Sequence, residues 1–148
     1  MMTLFARIAV AASTVLLLVT SVAAQDGPHK LALQISDNDP AKMTAVLNIA
    51  ANVSRHYSEI GEEVDIRIVA FNAGLHMLRA DTTPVGNRMT SFAESMPNVT
   101  FEACGNTLTA MSRTEAGEIP LLEGVEIVEA AVVELMELDE AGYTIVRP

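Results

Sequence analysis

Apolar residues recur along this chain with two different periods, and the two alternate. "KLALQIS" places Leu31, Leu33 and Ile35 against Lys30, Ala32 and Gln34, the period of two that a strand requires. From Met43 the period changes: Val46, Leu47, Ala50, Val53, Tyr57 and Ile60 recur at helical spacing until Gly61 ends the run. Asp39-Pro40 marks the helix start, because the carboxylate can accept from free amides and proline lacks an N–H that the first turn cannot use.

The same alternation continues to the end. "EVDIRIVAF" predicts a second strand, followed by the glycine-containing turn "NAGLHML". Thr83-Pro84 opens a helix from Val85 to Met96 that Pro97 closes, and "NVTFEAC" predicts a third strand. "NTLTAMSRTEAG" predicts a short helix, "GVEIV" a fourth strand, "EAAVVELMELDEAG" an acidic helix ending at Gly142, and "YTIVRP" a last strand. Strands alternating with helices imply an α/β fold with a mainly parallel sheet covered by helices on both faces.

The N-terminus changes the boundaries of that domain. Met1 to Arg7 is a short basic start, Ile8 to Val22 is an apolar run, and "SVAAQD" offers small residues ahead of a cut after Ala24. Together they predict a secretory signal peptide over residues 1–24, a single domain over 25–148, and a periplasmic protein. The full chain carries a formal net charge of −10. A scattered set of basic residues on so acidic a chain argues against binding nucleic acid, and against membrane contact once the signal is removed.

In open parallel sheets ligands gather beyond the carboxyl ends of the strands, so the strand-to-helix turns carry the candidate chemistry. They supply Asp37 and Asn38 after the first strand, Asn72 and His76 after the second, Cys104, Gly105, Asn106 and Thr107 after the third, and Glu129 after the fourth. Helix capping is the simpler role for Asp37 and Asn38. Cys104 is the only cysteine, so a dithiol cycle within one chain is excluded.

Val99, Phe101 and Ala103 form the apolar series of the third strand, which puts Cys104 on the opposite series and argues against a buried, inert thiol. Gly105 permits a tight turn, and Asn106 or Thr107 can cap the next helix, leaving the sulfur near free amides that favour a thiolate. His76 is the one histidine at a strand-end turn and is a candidate base, weaker than the thiol itself. No G-x-G-x-x-G follows the first strand, and three scattered histidines with one cysteine lack metal-site spacing, so neither a cofactor nor a metal is expected. The methionines fall mostly at helical spacing, as core filler.

"LALQISDNDPAKMTAVLNIAANV", "VDIRIVAFNAGLHMLRAD", "FEACGNTL" and "VVELMELDEAGYTIVRP" together resemble the DsrE family of small sulfur-metabolism proteins, in its exported branch. The resemblance implies a three-layer α/β/α sandwich with a five-stranded, mostly parallel sheet, and a homo-oligomer such as a trimer or hexamer. It also implies a sulfur relay: Cys104 falls on the family's loop cysteine, which carries sulfane sulfur as a persulfide, with Asn106 and Thr107 beside it. A carrier passes sulfur to a partner protein or small thiol rather than acting as a self-contained enzyme. Two other readings stay open from the residues themselves. One is a binding module whose strand-end pocket uses Cys104 as a passive wall, and the other is a thiol-dependent enzyme with His76 as base.

Overall fold

The computed structural model describes residues 27–148. The expected signal peptide and its cleavage point after Ala24 lie outside the described residues. Five strands, β1 (His29–Ile35), β2 (Val64–Ala70), β3 (Val99–Cys104), β4 (Glu126–Val128) and β5 (Thr144–Val146), form one sheet in the order β4-β3-β2-β1-β5. Every pairing in it is parallel. The helices are α1 (Pro40–Ile60), α2 (Gly86–Ser95), α3 (Gly105–Glu115) and α4 (Ala131–Glu140).

Local chemistry explains most of these boundaries. The Asp39 carboxylate accepts from the Ala41 amide at 2.8 Å and Pro40 is the first helical residue of α1. Gly61 ends that helix at φ 74°, in the left-handed region where a residue without Cβ carries no steric cost. The turn "NAGLHML" is itself helical: Asn72–Met77 forms a 3-10 helix. Thr83 Oγ1 accepts from the Val85 amide, so Val85 takes the N-cap position and α2 starts one residue later than expected.

Strands β1 to β4 are laid down in one direction across the sheet and β5 returns to the far side of β1. Right-handed crossovers therefore send the first three connections to one face and the last to the other. The first face holds the main core, in which Leu33, Ile35, Ile66, Ile68, Phe101 and their neighbours pack under Met43, Val46, Leu47, Leu75 and Met89, with Leu108 and Met111 of α3 at its edge. On the second face, among the described residues, α4 alone covers a smaller cluster of Ala32, Val69, Cys104, Ala131, Leu135, Leu138 and Tyr143. Both faces are covered, as expected, but unequally.

That inequality corrects two expectations. The series of β3 opposite Phe101 is not the solvent side: Glu102 and Cys104 are buried beneath α4, because a sheet covered on both faces hides both series. The methionines do not all fill the core either. Met136, with Val132 and Val133 beside it on α4, is more than half exposed. Among the described residues no helix is long and apolar enough to cross a membrane.

Candidate functional site

At the carboxyl end of β3 the strand passes into α3 without a loop. Cys104 is both the last residue of the strand and the N-cap of the helix, and α3 begins at Gly105. Neither Asn106 nor Thr107 caps the helix, since both already lie within its first turn. The Cβ that a larger residue would place at position 105 meets Val128 O at 3.1 Å and Glu129 O at 3.3 Å, so the glycine lets the segment joining β4 to α4 close over the cysteine. The amide of Asn106 donates to Glu129 O at 3.2 Å and ties down the same segment.

Cys104 is 6 % exposed and unpaired, and its Sγ accepts from the backbone N–H of Ala131 at 3.4 Å. Burial alone would push the thiol up, yet its pKa lies below the ordinary value. The Thr107 hydroxyl and the amides of Ala131, Thr107 and Asn106 outweigh the burial by donating to the charged form. Thr107 Oγ1 in turn accepts from the Asn72 amide at 3.0 Å. Asn72 sits at φ 49°, a left-handed conformation that Asn tolerates better than most residues, and this directs its N–H toward α3.

An open cavity of about 600 Å3 reaches the sulfur. Asn72, Asn106 and Thr107 form its polar side, Phe71, Met111 and Val132 stand among its apolar walls, and Glu115 is on its rim. The structure thus brings together four of the residues singled out in the sequence, Asn72, Cys104, Asn106 and Thr107, with Gly105 directly beneath. Asp37, Asn38 and His76 do not line this cavity. Asp37 is held by Lys42 at 2.6 Å and lies 3.5 Å from Arg147, Asn38 is exposed, and His76 Nδ1 pairs with Thr82 Oγ1 at 2.8 Å.

Three contributors were missed by sequence reasoning. Ala131 acts through its backbone, which leaves no mark in residue type. Arg79, 3 % exposed, holds Asp81 at 2.7 Å and Glu115 at 2.6 Å, and so pins the end of α3 at the cavity rim. The charged triplet "RAD" in an otherwise apolar stretch was the only hint. Glu102 is the third: it is 1 % exposed, with Oε1 on Arg67 Nη1 at 3.0 Å. Among the described residues no group of three or more His, Cys, Asp or Glu could hold a metal ion.

No protein-family model matches the chain, and no curated protein matches it. Among solved structures it is similar to MTH1491, a protein of unknown function from Methanobacterium thermoautotrophicum, with TM-score 0.69 and 25% identity over 81% of this chain and 99% of that one. It is also similar to the ychN protein of E. coli, with TM-score 0.59 and 16% identity over 81% of this chain and 99% of that one. Both neighbours have the DsrE-like fold, and the five-stranded parallel α/β architecture of this chain agrees with it.

Proposed function

We propose that this protein is an exported, periplasmic sulfur carrier of the DsrE type, in which Cys104 accepts sulfane sulfur as a persulfide and passes it on. The observation that carries the reading is the environment of the sulfur: an unpaired thiol on the wall of an open cavity, with a hydroxyl and three amides stabilising its thiolate. The DsrE-like fold supports a sulfur-related role.

In the loading step the Cys104 thiolate attacks the outer sulfur of a donor persulfide R–S–SH. The donor's S–S bond breaks as the new one forms, and the donor leaves as the thiolate RS−. Unloading is the same exchange with an acceptor thiolate attacking the outer sulfur on Cys104. No second cysteine and no oxidant are needed. The homo-oligomer, a trimer or hexamer, belongs to the same proposal, and sedimentation velocity on the mature chain tests it.

Intact-mass measurement after exposure to a persulfide donor tests the carrier reading. Wild type gains one sulfur atom that a reducing thiol removes, and Cys104→Ser gains none. No gain on wild type, or an equal gain on the variant, would overturn it. The apolar walls at Phe71, Met111 and Val132 favour one second reading, a small-ligand module in which the thiol is passive. That reading predicts that Cys104→Ser binds its ligand as tightly as wild type.

A further inference from the structure

Glu102 stands two residues before Cys104 on β3, so both side chains rise from the same sheet face, about 7 Å apart along the strand. Its burial is nearly complete and its pairing is not. Oε1 receives Arg67 Nη1, whereas Oε2 is buried without a hydrogen-bond partner among the described residues. Arg67 Nε is likewise unpartnered, lying 3.4 Å from Asp65 Oδ1 without hydrogen-bond alignment. A half-satisfied buried carboxylate is a cost that an apolar residue of similar volume would not carry.

The groups facing Glu102 come from every element packed around it. Arg67 and Asp65 approach from β2, Glu126 is its register partner on β4, and Glu134 approaches from α4. Tyr143 occupies Asp65 through a 2.6 Å hydrogen bond. Helix α4 spans both β3 side chains, since the Ala131 amide reaches the sulfur and Glu134, nearly one turn on, faces the carboxyl. Burial, and the like charges of Glu134 and Glu126, outweigh Arg67 and push the Glu102 carboxyl up to about 7.

We propose that one proton on Glu102 tunes the reactivity of Cys104: the neutral carboxyl lets the thiolate form, and the ionised carboxylate, a like charge on the same buried face that Arg67 offsets at one oxygen only, disfavours it. Glu102 touches no donor or acceptor and acts through Cys104, so it is a positioning residue in the electrostatic sense. The inference rests on Cys104 being the reacting thiol of the proposed carrier.

The test is the rate of Cys104 alkylation by iodoacetamide, an uncharged reagent, followed across roughly pH 5 to 9. Wild type rises more gradually than a single ionisation because two groups titrate against each other. Glu102→Gln rises as one ionisation with a lower midpoint, and near pH 8 it reacts roughly three- to tenfold faster. Superimposable profiles overturn the proposal. Should Glu102→Gln fold poorly, carboxyl-carbon NMR of Glu102 gives the reciprocal measurement: two steps in wild type and one in Cys104→Ser, with one step in both overturning it. A protein that shows the coupled profile yet gains no sulfur from a persulfide donor defeats the carrier reading and leaves this coupling standing.

Discussion

The backbone amide of Asn72 donates to Thr107 Oγ1 at 3.0 Å, which occupies a lone pair of that hydroxyl and leaves its proton for the Cys104 sulfur. A residue on the second strand's exit thereby orients a donor on the third helix. Thr107→Val should raise the thiol pKa and slow alkylation at neutral pH by roughly tenfold, the worth of one hydrogen bond to a charged group. Thr107→Ser should react like wild type. Equal rates for the valine variant would mean that the amides alone stabilise the thiolate.

Gly74 packs against the end of β1, where an added Cβ would overlap Ile35 O and Ser36 N. Both obstacles are backbone and cannot rotate away. Gly74→Ala should cost about 1–3 kcal/mol or more by urea unfolding, and an unchanged midpoint would show that the 3-10 helix shifts freely.

Arg79 binds Asp81 and Glu115 while nearly excluded from solvent itself. Arg79→Met should lower the melting temperature by roughly 5 °C or more. The guanidinium holds both carboxyls below the usual carboxylate range, so their contribution is complete above the ordinary carboxylate pKa and fades as acid protonates them. Acidification should therefore destabilise wild type more than Arg79→Met. Parallel curves of melting temperature against pH would contradict this.

Glu102 predicts the opposite slope. Its folded value of about 7 lies above the ordinary 4.5, so the folded state keeps a proton that the unfolded chain releases between those two values. Stability from this group is complete below the lower value and is lost as pH rises through the upper one, a change on the order of 3 kcal/mol at most. Comparing urea unfolding of wild type and Glu102→Gln at about pH 5 and about pH 8 isolates it, because only wild type should lose that increment. An equal pH response in both proteins would remove Glu102 from the account.

The alternating periods disclosed the five strands, the four helices and their order, because each element carries its own pattern and its own stop signal. Asp39-Pro40 and Gly61 mark α1 to the residue. The sulfur's polar neighbours Asn106 and Thr107 were legible because chain proximity places them there. Ala131, Arg79 and Glu102 were not, since each acts on a group far along the chain or through atoms common to all residues. Alternation also misjudged Cys104: period two identifies which face a side chain joins, and only the crossover to α4 decides whether that face is wet.

The placement of α4 alone on its face has a consequence for how the protein is made. As the chain emerges, β1 to β4 can pair and the main core can close while the other face of the sheet is still bare, because α4 and β5 follow them all. Until that helix docks, Cys104 lacks the Ala131 amide, the Val132 side of its cavity and the cover of α4. The thiol is therefore most open to stray oxidants in the nascent chain, and its protection is finished only when the final helix and strand are in place.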